Sequence, residues 1–207
     1  MLHPVFRGIK TPSWAGGEVD VPLVDCHSLE ELMQTQYDYD AFTTGYIVVR
    51  PDGEYLDQIP RFSSRKSRDA IRQIRQDGGD LLMHAVLIDL DRTPHDPWHT
   101  PVEAKRWVDD LFDVMPEAVI YATTRGIRVV FKLRRLVSVE NYHKIAKAAM
   151  RYVSHAVTAV GAPVVMDDTC QEWDRLARLP YVQRDGRSTG DGAALRMPRM
   201  WSGWFPG

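Results

Sequence analysis

Three short stretches carry the residue types that could do chemistry. Residues 86–91, VLIDLD, run from large apolar side chains into two aspartates separated by one leucine. On a strand, successive side chains point to opposite faces. Val86, Ile88 and Leu90 would then share one face, and Leu87, Asp89 and Asp91 the other. Twice the strand rise sets the two aspartate Cα atoms roughly 7 Å apart, so both carboxylates can meet one cation. Without a cation they repel, and one tends to keep its proton. A hard divalent ion such as Mg²⁺ or Mn²⁺ removes the conflict by taking carboxylate oxygens. An isolated Asp-x-Asp is equally at home where a strand enters a polar turn, here DRTPHDP, so the pair gains meaning only from its company.

That company is present. Residues 126–133, GIRVVFKL, alternate so that Arg128 and Lys132 lie opposite Ile127, Val129, Phe131 and Leu133. Residues 163–168, PVVMDD, end in Asp167 and Asp168, and Arg175 and Arg178 follow in QEWDRLARLP. Two acids, a base, then a third acid with two arginines are the parts of a metal-plus-phosphate site. Carboxylates hold ions, ions neutralise phosphate charge, and arginines clamp the remaining oxygens with paired N–H groups.

The elements that must position these residues are legible. Residues 28–36 read as a short helix with Ser28 as N-cap and Glu31 at the capping-box position. Residues 45–50 read as a strand followed by a turn at Pro-Asp-Gly. Residues 63–76 read as a helix stopped by Gly78 and Gly79. A helix opens at Thr100 with Pro101 in its first position and ends before Pro116. Strands at 117–124 and 126–133 form a hairpin through Arg125 and Gly126. Ser138 opens the longest helix, whose apolar positions follow helical spacing as far as Gly161. Strands and helices that alternate around a hairpin indicate an α+β or mixed α/β chain rather than a purely parallel sheet.

Composition bounds the partners. The chain has 207 residues and a formal net charge of −2, so a nucleic-acid partner must be met by a local patch. Cys26 and Cys170 are far apart, and no Cys-x-x-Cys pair exists, which argues against a zinc ribbon and suits a reduced, cytoplasmic setting. No signal peptide, no membrane-spanning run and no P-loop sequence Gly-x-x-x-x-Gly-Lys-Ser/Thr occurs. The helix at 63–76 carries Arg65, Arg68, Arg72 and Arg75, which either track the phosphates of a template strand or form a solvated face.

The three stretches, in their order, resemble the motifs of the archaeo-eukaryotic primase superfamily, in particular the primase-polymerase domains of phages and plasmids. The first motif is VLIDLD, the second TTRGIRVVFKL, and the third VMDDTCQEWDRLARLP; together they cover about residues 80–188. The resemblance implies an α+β fold: a primase catalytic core, with an RRM-like antiparallel or mixed sheet backed by helices and a smaller N-terminal α/β unit. It implies one catalytic unit, with residues 1–78 as N-terminal subdomain, 79–190 as catalytic core and 191–207 as tail or linker. Asp89, Asp91 and Asp167 would be the catalytic residues, holding two Mg²⁺ or Mn²⁺ ions. Arg128 stands where the family usually has His and would meet the incoming nucleotide with Thr124 and Gly126. Arg175 and Arg178 would hold triphosphate or template phosphate. The partners implied are single-stranded DNA template, NTP or dNTP substrates, and a replicative helicase, separate or C-terminal to this chain; no membrane is involved. The activity implied is template-directed nucleotidyl transfer for primer synthesis or extension in phage or plasmid replication.

Two other readings stay open. A charged Arg at 128 also suits a primase-like DNA-binding module of a replication initiator with weak catalysis. A metal-dependent glycosyltransferase would use an Asp-x-Asp, but it leaves DRLARLP and Arg128 without a purpose. Trp173 could stack on a base or cover the core. Trp201, Trp204 and Phe205 could dock a partner or pack on the body.

Overall fold

The computed structural model describes residues 6–7, 28–49, 67–184, 187–188, 193–199 and 203–204. The chain order is β1 (Phe6–Arg7), α1 (Leu29–Gln34), β2 (Ala41–Thr44), β3 (Tyr46–Val49), α2 (Ser67–Gln76), β4 (Asp80–Arg92), α3 (Pro101–Val114), β5 (Val119–Thr123), β6 (Gly126–Ser138), α4 (Val139–Val160), β7 (Val164–Met166), a 3-10 turn (Asp168–Gln171), β8 (Leu176–Arg178), β9 (Gln183–Arg184) and β10 (Arg187–Ser188). The fold is α+β, as its alternating elements indicate. The main sheet is antiparallel throughout, in the order β3-β4-β6-β5, and β7 adds to the β4 edge beyond the end of β3.

Local chemistry explains where the helices start and stop. The Ser28 hydroxyl accepts the Glu31 N–H, and the Glu31 carboxylate accepts the Ser28 N–H in return, so α1 opens on a complete capping box. Thr100 caps α3 ahead of Pro101, whose missing N–H is no loss in the first turn. Gly161 ends α4 at φ 68°, a left-handed conformation that glycine adopts without cost to a side chain.

Alternation along β4 and β6 divides the apolar residues between two cores. Val86, Ile88 and Leu90 pack with Ile127, Val129 and Phe131 against α3 and α4. Ala85 and Leu87 pack with Val119, Tyr121 and Val130 against α1 and the segment around β8. The alternation breaks once. A register shift between Met83 and Ala85 puts Leu81 and Met83, rather than His84, in phase with Val86. The second face of β4 runs from apolar Ala85 and Leu87 into Asp89 and Asp91, so one end of that face is polar while the other is core.

Candidate active site

Strand register builds a polar row across that end of the sheet. Tyr121 lies opposite Arg128, and Arg128 opposite Asp89. On the other edge of β4, Leu90 pairs with Met166, and the Asp167 N–H then donates to the Asp89 carbonyl at 3.1 Å. Directly opposed residues on antiparallel strands share a face. Tyr121, Arg128, Asp89 and Asp167 therefore line up side by side, although Asp89 and Asp167 are far apart in sequence.

The row is held by charge. Arg128 Nη2 makes a short contact to Asp89 Oδ2. Arg175 Nη2 lies 3.2 Å from the same Asp89 oxygen and 2.5 Å from Asp167 Oδ2, bridging the two acids. Its Nη1 donates to the Thr169 hydroxyl, which donates to Asp167 Oδ1 at 2.8 Å. The Thr169 N–H donates to that oxygen as well, at 2.9 Å, so Asp167 also caps the 3-10 turn. Burial alone would raise the Asp167 carboxyl, but the Thr169 amide, the Arg175 guanidinium and the Thr169 hydroxyl outweigh it and hold it below the usual carboxylate range. Burial likewise works against the Arg128 charge. Its neighbours Asp89 and Tyr121 win, and the guanidinium is held protonated beyond its ordinary range. Burial pushes the Tyr121 phenol up to about 12, and its hydroxyl donates to the Arg178 carbonyl at 2.5 Å.

The other expected residues divide. Asp91 shares the face of Asp89, opposite Gly126 and Val165, but its side chain is 44% exposed and its carboxylate lies 3.7 Å from the His95 ring. Gly126 answers a steric demand: a Cβ there would stand 2.0 Å from the Leu90 carbonyl oxygen of the neighbouring strand. Thr124 sits in the β5–β6 turn, and its carbonyl accepts the Trp98 amide at 3.3 Å. Arg178 joins the row through its backbone, whereas its guanidinium is paired with both oxygens of Asp40, at 2.6 and 3.1 Å, over the Phe42 ring. Lys132 is drawn to Glu30 of α1, at 3.1 Å. Arg65 and the Arg68 side chain lie outside the described residues. Arg72 is exposed, and Arg75 pairs with Glu140 at 2.6 Å and Asp80 at 3.6 Å. The strand path from Asp80 to Asp89 is about 30 Å, so α2 lies at the opposite end of β4 from the acid row.

Three carboxylates on one face are a hard-oxygen donor set suited to Mg²⁺ or Mn²⁺. Among the described residues, no three His, Cys, Asp or Glu side chains gather as a metal-binding group. Instead the Arg175 guanidinium stands between Asp89 and Asp167. The acid pair demands positive charge and has recruited it, and its carboxylates are the hard-oxygen donor type that a divalent ion takes. A guanidinium supplies the charge in this arrangement.

No protein-family model matches the chain, and no curated protein matches it. Among solved structures, it is similar to the polymerase domain of Mycobacterium tuberculosis ligase D in complex with DNA, with 14% identity and a TM-score of 0.47 over 96% of this chain and 74% of that chain.

Several site neighbours carried no signal in the sequence. The Cys170 sulfur accepts the Asp89 N–H at 3.1 Å, a strand donor left over where β7 ends. Burial pushes its thiol up, consistent with a structural role. Thr169 is a local partner of Asp167 in the 3-10 turn, whereas Asp40 becomes the partner of Arg178 only when the chain closes on itself. Trp98 staples the β5–β6 turn by donating its indole N–H to the Thr123 carbonyl at 2.9 Å and the Gly126 carbonyl at 3.2 Å. Trp173 packs edge-on against Tyr46, and Trp204 packs on Phe131 and Tyr152, so both rings serve the core. Trp201 and Phe205 lie outside the described residues. Among the described residues, no helix is long and apolar enough to cross a membrane.

Proposed function

We propose that the chain is a DNA primase-polymerase domain that transfers nucleotides from NTPs or dNTPs onto a strand directed by a single-stranded DNA template. The observation that supports this most is the meeting of Asp89, Asp167, Arg128 and Arg175 at one end of the central sheet. A nucleotidyl-transfer site must hold a triphosphate against carboxylates without repulsion, and adjoining acids and guanidinium groups provide both halves of that task. Asp89, Asp91 and Asp167 would hold two divalent ions, which when bound neutralise phosphate charge and make a hydroxyl a better nucleophile. Arg175 and Arg128 would clamp phosphate oxygens in the forked geometry that lysine lacks. Thr124 and Gly126 would border the nucleotide, and Arg178 would contact phosphate from beside Asp40. The chain would act in phage or plasmid replication beside a replicative helicase.

A second reading is favoured by one observation. The row acids Asp89 and Asp167 are occupied by guanidinium groups rather than left open for ions, as a module without catalysis would have them. The test is incorporation of labelled NTPs and dNTPs on single-stranded DNA, with and without an annealed primer, in Mg²⁺ or Mn²⁺ and with chelator. Chelator-sensitive product is expected, and the primed and unprimed lanes separate extension from priming. Folded protein that binds single-stranded DNA yet yields no product in any lane would move the assignment to the binding module.

A further inference from the structure

Helix α4 carries an uncompensated basic stripe. At 3.6 residues per turn, His143, Lys144, Lys147, Arg151 and His155 fall within about a third of the helix circumference, and all five are exposed. The opposite side, Tyr142, Ile145, Ala146, Ala149, Val153 and Ala156, is buried against the sheet. Among the described residues, Lys144, Lys147 and Arg151 make no ion pair, and the one acid of the helix, Glu140, is tied to Arg75. Helix α3 is built differently. Its exposed cations are neutralised one turn on, Lys105 by Asp109 at 2.5 Å and Arg106 by Asp110 at 3.6 Å. Between these two helices, then, the uncompensated charge lies on α4, in a chain whose net charge is −2.

The stripe has a cleft and a direction. Lys147, Met150 and Arg151 form one wall of an open cleft of about 420 Å³, and Asp168 and Gln171 form the other. That second wall is the 3-10 turn that begins immediately after Asp167. At the far end of the helix, the Arg75–Glu140 pair joins the first turn of α4 to the end of α2. The stripe therefore runs from the α2 end of the sheet to within one short turn of the acid row. Cations four residues apart on a helix stand about 6 Å apart along its axis, close to the spacing of successive phosphates in an extended strand.

We infer that the α4 stripe binds the sugar-phosphate backbone of a single DNA strand, with Lys147 and Arg151 on consecutive phosphates beside the 3-10 turn. The inference rests on the polymerase reading and names the surface that holds the strand outside the acid row. One line of cations suits one strand, and Met150 between Lys147 and Arg151 offers an apolar contact to a sugar or base.

The test is the affinity of the full chain for a fluorescent single-stranded oligodeoxynucleotide, measured by anisotropy across a salt series. For Lys147→Gln/Arg151→Gln we expect at least tenfold weaker binding. The slope of log affinity against log salt should shrink by about 1.4, because each single-strand phosphate contact contributes about 0.7. Lys147→Arg/Arg151→Lys should bind like wild type, and Lys105→Gln/Arg106→Gln on α3 should change neither quantity. Thermal melts of all variants show whether they are folded. Unchanged affinity and slope in the Gln double variant, with wild type still incorporating nucleotides, would overturn this inference and leave the polymerase reading intact. A wild type that neither binds the oligonucleotide nor incorporates nucleotides would overturn both. Binding of an oligoglutamate peptide, but not DNA, through these residues would assign an acidic protein partner instead and overturn it as well.

Discussion

Two buried arginines on neighbouring strands, Arg92 and Arg128, are 7% and 8% exposed and solve the same problem in different ways. A buried guanidinium needs carboxylate or carbonyl partners for its charge. Arg92 finds them close by in sequence. It donates to the Pro97 carbonyl at 2.7 Å, meets Glu103 at 3.3 Å and lies over the Trp98 ring. All of these partners come from the loop and helix that directly follow β4, and Trp98 ties the cluster to the β5–β6 turn. Arg128 draws on Asp89 of another strand and on the Arg178 carbonyl, and Asp89 is shared with Arg175, which reaches Asp167. The Arg92 cluster fixes a loop. The Arg128 cluster gathers acids and bases from separate segments at the polar end of a sheet face.

The comparison can be broken at either cluster, and the expected losses of stability differ in size. The largest loss follows Asp89→Ala. It leaves Arg128 buried without its carboxylate and removes one of the two acids of Arg175. Breaking such a pair from one side costs about 3–5 kcal/mol, read as a lower urea midpoint. Arg92→Met should cost less, about 1–3 kcal/mol, because Glu103 keeps the His99 N–H at 2.9 Å. The two variants part on activity. Arg92→Met should retain incorporation per folded molecule, and Asp89→Ala should lose it.

Arg175→Met should cost about 1 kcal/mol near neutral pH, and the cost should depend on pH. Asp167 is held below its unfolded value, so its contribution is fully present above the ordinary carboxylate pKa of about 3.9 and is lost as pH falls through the lower folded value. Removing Arg175 brings the folded value back up. The stability gap between wild type and variant should therefore be constant from neutral pH down to about 5 and close below about 4. A gap that persists unchanged at acid pH would show that Arg175 acts through packing rather than through the Asp167 charge.

How much of this was legible beforehand follows from the range of each interaction. The capping box at Ser28 and Glu31 and the Thr100-Pro101 start are signals spanning a few residues, and both appear in the helices. The faces of β4 from Val86 to Asp91 and of β6 from Ile127 to Lys132 follow from period two, and the two cores separate along that division. The period failed at the Met83–Ala85 bulge, which no local residue type announces. The sequence marks Asp89, Arg128, Asp167 and Arg175 as polar residues near strand ends, but their meeting depends on β7 joining the β4 edge in register. The same holds for Cys170 under Asp89 and for Asp40 on Arg178, partners 81 and 138 residues apart. Arg92 went unread because one arginine entering a polar turn carries no sign that the turn will fold back over it.

Among the three acids, Asp91 separates chemistry from folding most cleanly. Asp89 and Asp167 are tied to arginines, whereas Asp91 is half exposed, with the His95 ring 3.7 Å from its carboxylate. Asp91→Asn should leave the unfolding free energy from urea titration within about 0.5 kcal/mol of wild type, as exposed substitutions do. The measurement to make is labelled-nucleotide incorporation by folded Asp91→Asn beside wild type, on primed and unprimed single-stranded DNA in Mg²⁺ or Mn²⁺. If Asp89, Asp91 and Asp167 form a nucleotidyl-transfer site, incorporation falls by about a hundredfold or more with stability unchanged. Wild-type incorporation by this variant would contradict the account, because Asp91 would then be only a solvated strand end.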